Sequence, residues 1–383
     1  MQSGWNVKAV WELADVKGGK RLPKGRNLQK FATPYPYIRV ADMTHGTVNL
    51  SDIHYVPSDV APSIRKYRIF SDDIFISVAG TLGIVGKIPE DLNGAYLTEN
   101  ADRLTDIKCD RDYLMYVLQS DSIQREINSI RTVGAQPKLA LGRIKDFEIL
   151  LPEDRQEQSR IARALNAADT FLKELEKIIT KKRVIKQGLM QELLTGKTRL
   201  PGFDSTWKKS SFGAELEFLR GSMATKELKH GQVPLIAAGI KPAGFVNKAN
   251  RRGPVITISS SGANAGFVGW HVSDIWASDC TTVSRARGLD LKLAFYLLVY
   301  MQDSIYKSQT GGAQPHVHAK DVAPIKIRFP NDPLEQSAIV EVIGAAEAEI
   351  QALEKQLESA KAIKQGMMQE LLTGRTRLPK EGQ

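Results

Sequence analysis

The chain has 383 residues, 42% apolar and 25% charged, a globular balance that excludes a disordered or fibrous protein. Its 53 basic residues against 43 acidic ones leave a net charge of +10, which points to a polyanionic partner, either nucleic acid or an anionic membrane surface. At roughly 150 residues per domain, this length suggests about two or three domains.

In chain order, the first stretch reads as a mixed α/β module. Its basic, glycine-bearing opening carries Lys20, Arg21, Lys24 and Arg26. Short β-rich runs are predicted at 37–40, with Arg39 inside, and at 73–78. The glycine loop Gly80-Thr81-Leu82-Gly83 lacks the G-x-G-x-x-G spacing and no helix follows it, so the dinucleotide reading fails. It reads either as a tight turn between strands or as an exposed loop touching a phosphate backbone. A helix is predicted at 113–118, ahead of a Gly134-Ala135-Gln136-Pro137 turn flanked by Arg131 and Lys138.

A long helix then begins at Asp154 and Glu157, which have the spacing of a capping box. Ile161, Leu165, Ala168, Leu172, Leu175 and Ile179 follow at alternating steps of four and three, a heptad seam. The helix stops at Thr195-Gly196, where glycine serves as the cap. About 40 residues at 1.5 Å each would make a rod of roughly 60 Å, with Gly188 as a potential kink point.

The second module repeats the plan with other residues. Arg220, Lys226, Lys229, Lys241, Arg251 and Arg252 are its basic loop residues, and strands are predicted at 234–237 and 254–259. A glycine loop containing Asn264 follows, then a helix at 293–298 and a Gly312-Ala313-Gln314-Pro315 turn before His316. In both modules Arg and Lys suit phosphate neutralisation, while Arg, Gln and Asn suit base-edge readout. The second long helix opens at Asp332 and Glu335 with Pro333 at its first position. Its seam is Ile339, Ile343, Ala346, Ile350, Leu353 and Leu357; Gly366 matches Gly188, and Thr373-Gly374 ends it.

The two halves are one unit written twice. The segment 183–201 recurs at 361–379 with fifteen of nineteen residues identical, a displacement of 178 positions (183 to 361). Gly134-Ala135-Gln136-Pro137 and Gly312-Ala313-Gln314-Pro315 keep the same displacement, as do Pro152 and Pro330, and Glu157-Gln158 and Glu335-Gln336. The expected domains are residues 1–152, a spacer helix over 153–200, residues 201–330, and a second spacer helix with the tail over 331–383. Matched seams in one chain are natural partners. Connectivity then makes them antiparallel, with Ile161, Leu165, Leu172, Leu175 and Ile179 facing Ile339, Ile343, Ile350, Leu353 and Leu357. The expected fold is α+β: two mixed α/β modules held apart by an antiparallel helix pair, with an approximate two-fold internal repeat.

No reaction chemistry emerges. Asn331-Asp332-Pro333-Leu334 lacks the second proline and the aromatic of an amino-methyltransferase motif. Gly196-Lys197-Thr198 imitates the tail of a phosphate-binding loop, but Gln191 stands where the first glycine belongs and its twin is Gly374-Arg375-Thr376. No H-E-x-x-H or G-x-S-x-G sequence occurs. Cys109 and Cys280 are too few for a disulfide framework and have no zinc spacing, so a reducing cytoplasm is expected. The longest apolar run, 293–301, is far short of the ~20 residues of a membrane span. Neither a secretory signal nor a membrane partner is expected. The chain reads as one that binds and positions.

Two variable modules, each followed by a helix with Glu-Gln near its start and Lys-Gln-Gly-x-Met-Gln-Glu-Leu-Leu-Thr-Gly at its end, resemble the specificity subunit of type I restriction-modification systems. Gly19 to Gly25 and Tyr35 to Asp42 also look like that family's first target-recognition domain, whereas Phe218-Leu219-Arg220-Gly221-Ser222 lacks the Leu-Pro-Lys signature. The resemblance implies that each module reads one half of a split DNA sequence and that the helices set the gap. It implies docking of two methyltransferase subunits that methylate adenine N6 with S-adenosylmethionine, joined by a restriction/translocase subunit. The cofactor then belongs to the partners, none is expected on this chain, and the chain itself is not an enzyme.

Overall fold

The computed structural model describes residues 4–130, 137–223 and 228–379. The chain forms two compact units, Met1–Leu175 with Gln356–Gln383, and Glu176–Lys355.

In the first unit, strand Trp5–Ala9 pairs antiparallel with Glu148–Pro152 and ties the module's start to its end. A four-stranded antiparallel sheet runs in the order Asp15–Gly18, Ala101–Thr105, Ile74–Ser77, Val85–Lys87. All four residues of Ile74–Ser77 are buried because the strand serves two cores. Ile74 and Ile76 face one core and Phe75 the other, the alternation a strand imposes. A second sheet is built on the parallel pair Pro36–Ile38 and Ala95–Leu97, flanked by His54–Tyr55 and Arg68–Ile69. Helix Arg111–Gln119 is capped by Asp110, whose carboxylate accepts the Tyr113 N–H at 2.9 Å. The glycine loop is the turn of the hairpin joining Ile74–Ser77 to Val85–Lys87.

The second unit uses the same skeleton. Trp207–Ser211 pairs with Lys326–Pro330, and a sheet runs Leu216–Arg220, Cys280–Ala286, Val255–Ser259, Val268–His271. Gly266, at φ +91°, closes the matching hairpin turn, and a Cβ there would press within 3.0 Å of Ile305. The modules diverge in the remaining sheet, here three-stranded: Gly244–Val246, His230–Ile236, Trp276–Ala277. Helix Leu291–Tyr300 is capped by Asp290, as Asp110 caps its counterpart.

The long helices span Arg155–Thr195 and Pro333–Leu371, 41 and 39 residues, unbroken through Gly188 and Gly366. In each unit they pack antiparallel: partners' numbers rise along one helix as they fall along the other. Asp169 meets Lys364 at 2.5 Å in the first unit, and Lys182 and Lys186 meet Glu349 and Glu347 at 2.6 and 2.8 Å in the second. Both helices end on glycines with positive φ, Gly196 at +70° and Gly374 at +69°.

The capping-box expectation needs correction. Asp154 does cap its helix, accepting the Gln156 N–H at 2.8 Å, and Asp332 accepts the Leu334 N–H at 2.9 Å. The glutamates do not reach back to close a box. Glu157 instead takes the Arg377 guanidinium at 2.9 and 2.5 Å, and Glu335 takes Arg199 at 2.6 and 2.7 Å. A buried carboxylate gains more from a guanidinium than from one backbone N–H. The adjacent glutamines are equally committed. Gln158 accepts the Asp110 N–H and donates to the Pro152 carbonyl, and Gln336 does the same with Asp290 and Pro330.

The repeated helix-end sequence closes the module cores. Leu371 and Leu372 join Ile161, Ala162 and Leu165 in the first core, and Met190, Leu193 and Leu194 join Ile339 and Ile343 in the second. Those four isoleucine and leucine seam residues therefore face a module as well as a helix. Of the other seam residues, Leu175, Ile179 and Ile350 are buried, and Leu172, Leu353 and Leu357 are half-buried. No helix among the described residues is long and apolar enough to cross a membrane.

Candidate nucleic-acid interface

In the first unit three segments meet at one end of the central sheet. The Leu139 N–H donates to the Val78 carbonyl at 2.9 Å, and the Val78 N–H to Asn100 at 2.7 Å. The Gly19 N–H donates to Ala101 at 3.0 Å and the Lys20 N–H to Leu97 at 2.8 Å. A Cβ on Gly19 would stand 2.0 Å from the Thr98 carbonyl oxygen, so only glycine lets the strands approach this closely. The segments enclose an open cleft of about 640 Å3, lined by Gly18, Gly19, Lys20, Arg21, Asp102 and Lys138 among others.

Cations ring that cleft. Lys138 is exposed, Arg21 pairs with Glu99 at 2.9 Å, and the Lys20 ammonium lies 5.7 Å from the Tyr67 ring centre. The Tyr37 hydroxyl donates to the Lys20 carbonyl at 2.9 Å, and burial pushes its pKa up to about 12, so it stays a donor. Asp102 sits on the floor, 6% exposed, and among the described residues no donor reaches its carboxylate. Burial raises its pKa, with Lys138 pulling the other way.

The second unit builds the same framework. The Val317 N–H donates to Ser260 at 3.0 Å, Ser260 to Asp279 at 3.2 Å, Gly221 to Cys280 at 2.8 Å and Ser222 to Ala277 at 2.9 Å. A Cβ on Gly221 would lie 2.1 Å from the Ser278 carbonyl oxygen. Arg220 stands exposed beside this glycine. Asn264 ends the turn Gly262–Asn264, against which the Gln314 loop docks through Gly262 N–H to Pro315 at 2.9 Å. That loop is closed by reciprocal bonds between Thr310 and His316, at 2.9 and 2.8 Å, and His316 stacks on His318. At the displacement of 178, His316 occupies the position of Lys138.

Not every basic residue singled out from the sequence is free for a ligand. The Arg39 guanidinium is held by Asp42 at 2.5 Å and Asp52 at 3.1 Å. Arg251 donates to Thr282 Oγ1 and to the carbonyls of Asn250 and Arg220, at 2.7–2.8 Å, and so braces the module from within. Arg26 pairs with Asp59. Lys24, Lys229, Lys241 and Arg252 are exposed, as is Thr81 at its hairpin turn. Arg131, Gln136 and Lys226 lie outside the described residues. The structure thus gathers Lys20, Arg21 and Lys138 on one cleft, and Asn264, Gln314 and His316 on one rim. Sequence reasoning missed Glu99 and Asp102, since a carboxylate in a basic site carries no motif. Among the described residues no group of three or more His, Cys, Asp or Glu could hold a metal ion.

The duplicated framework agrees with comparisons to known proteins. The family model for the type I restriction modification DNA specificity domain matches residues 2–187 and 205–362. The chain belongs to the type I restriction-modification specificity family. Among its relatives, a putative type I specificity subunit of Mycoplasma genitalium is 21% identical over 393 residues, 98% of this chain and 97% of the relative. A putative type I restriction enzyme MjaX specificity subunit of Methanocaldococcus jannaschii is 24% identical over 413 residues, 98% of this chain and 94% of that one. The crystal structure of the type I restriction-modification S subunit from M. genitalium shares the fold at a TM-score of 0.66, with 21% identity and 96% of each chain covered. A second neighbour, from a study of assembly and conformational transition in a type I restriction-modification system, has a TM-score of 0.59 at 15% identity, covering 97% of this chain and 98% of that one. As a specificity subunit with two DNA specificity domains, this chain recognises a bipartite DNA target.

Proposed function

We propose that each module reads one half of an asymmetric bipartite duplex sequence, the long helices set the gap, and two copies of a methyltransferase subunit dock on the chain. Lys20, Arg21 and Lys138 serve the first half-site, and Arg220, Asn264, Gln314 and His316 the second. The observation that carries this reading is one backbone framework built twice with unlike side chains: Lys138 in one copy and His316 in the other. Equal frameworks imply one docking mode, and unlike side chains imply two sequences. Separated half-sites multiply specificity, since each mismatched pair costs about 1–3 kcal/mol roughly additively.

On this reading the chain is not the catalyst. S-adenosylmethionine and the methyl transfer belong to the partner subunits, and cutting belongs to a restriction/translocase subunit. The test is co-expression with a cognate methyltransferase subunit, followed by single-molecule mapping of methylated adenines. The expected motif is split and non-palindromic; a contiguous or palindromic motif, or none, overturns the proposal. Isolated chain should bind duplex DNA with an affinity that falls steeply with salt, and Lys138→Ala should lower that slope by about one.

A further inference from the structure

The two central sheets differ sharply at one matched pair of positions. In the first unit, register places Asp102 directly opposite Gly18; in the second it places Thr281 directly opposite Arg220. Residues facing each other on antiparallel strands project to the same side of the sheet. Both pairs sit beside the glycine locked against the crossover turn, Gly19 or Gly221. The matched pair therefore presents an acceptor-only carboxylate from the inner strand in one module and, in the other, a donor-only guanidinium from the edge strand across from the Thr281 hydroxyl.

The first of these is incomplete as it stands. Asp102 is more than nine-tenths buried, lines the cleft, and has no donor among the described residues. Its oxygens are not sealed in but open on the cleft, so the donors a carboxylate needs reach it from that side: water in the free chain, a ligand N–H in a complex. Gly18 keeps the approach open, because a Cβ there would stand 3.5 Å from Asp102 Oδ1 and a longer side chain would cover it. Lys20, Arg21 and Lys138 at the rim select a polyanion. A polyanion carrying a hydrogen-bond donor between its phosphates is a nucleic acid presenting a base amino group.

We propose that Asp102 is the base-reading acceptor of the first module, taking the N4 amino group of a cytosine, and that Arg220, which stands where the first module has Gly18, reads a guanine. This rests on the bipartite DNA reading above and adds which side chains discriminate. Cytosine fits a carboxylate better than adenine does: adenine sets the acceptor N7 beside its amino group and would repel the second oxygen. Guanine offers O6 and N7 together, which match the guanidinium fork. Arg220 is exposed, and among the described residues nothing pairs with its guanidinium.

The test begins with the motif methylated by the full chain co-expressed with its methyltransferase subunit. Each half-site should contain at least one C·G pair. Asp102→Asn keeps the side-chain volume and should relax discrimination at one such pair by about tenfold or more, leaving the other half-site unchanged. Gly18→Val, which leaves the carboxylate in place but covers it, should relax the same pair. Arg220→Ala, at an exposed position, should relax one pair in the other half-site. A half-site lacking any C·G pair overturns the proposal, as do variants that methylate the wild-type motif with unchanged selectivity. Wild-type chain yielding no split motif would instead overturn the bipartite reading itself.

Discussion

Replacing Arg199 with methionine tests what the clasp on Glu335 contributes. Glu335 is fully buried at 0% exposure, and Arg199 gives it two charge-assisted hydrogen bonds at 2.6 and 2.7 Å. The other donor beside Glu335 is Trp207 Nε1, 3.4 Å away, which cannot replace a guanidinium. Removing one partner of a buried ion pair costs about 3–5 kcal/mol. Arg199 is 28% exposed, so water can enter after it leaves, and we expect the lower end, about 3 kcal/mol. The double variant Arg199→Met/Glu335→Gln leaves no buried charge and should recover about 1–2 kcal/mol of that loss. Urea unfolding followed by hydrogen exchange of residues 333–345 reads the effect locally. A single variant within about 0.5 kcal/mol of wild type, or a double variant no more stable than the single one, would refute the reasoning. The matched Arg377→Met change should perturb its unit less, because Arg377 is 52% exposed against Arg199's 28%.

Gln336→Ala should destabilise by about 2–3 kcal/mol, since it strips partners from the Asp290 N–H and the Gly288 and Pro330 carbonyls; thermal unfolding measures it. Gly19→Ala should abolish DNA binding and lower solubility, because its Cβ would need to pass 2.0 Å from the Thr98 oxygen; a soluble variant with wild-type affinity would contradict the close-approach account. Burial pushes the thiols of Cys109 and Cys280 up to about 11 and about 12, so neither forms appreciable thiolate at pH 8. Ellman's reagent should find no reactive thiol in native protein and two after unfolding in urea.

The repeat made much of this fold readable in advance. The displacement of 178 positions predicted two like modules, two long helices and glycine stops, because duplicated sequence must meet the same local demands twice. Periodicity placed the seam, and short apolar runs bounded by turns placed the strands. The capping box failed as an expectation for an instructive reason. Asp-x-x-Glu has the right local spacing, but a residue over 130 positions away, Arg199 for Glu335 and a tail residue for Glu157, outcompetes the local backbone N–H. Ion pairing of that kind is invisible to spacing.

The candidate interface was legible only as a list of basic residues. Tertiary structure sorted them: Arg39 and Arg251 brace the modules internally, whereas Lys20, Arg21 and Lys138, remote in sequence, share one cleft. It also added Asp102, whose significance depends on burial without a donor and on the glycine across the strand. Composition, periodicity and internal repetition can be read along the chain without knowing which residues touch, and from them the sequence alone determined the two-module plan, the helices and a polyanionic partner. Strand register and burial bring together residues dozens of positions apart, so only the folded chain could decide which charges are spent inside it and which face a ligand.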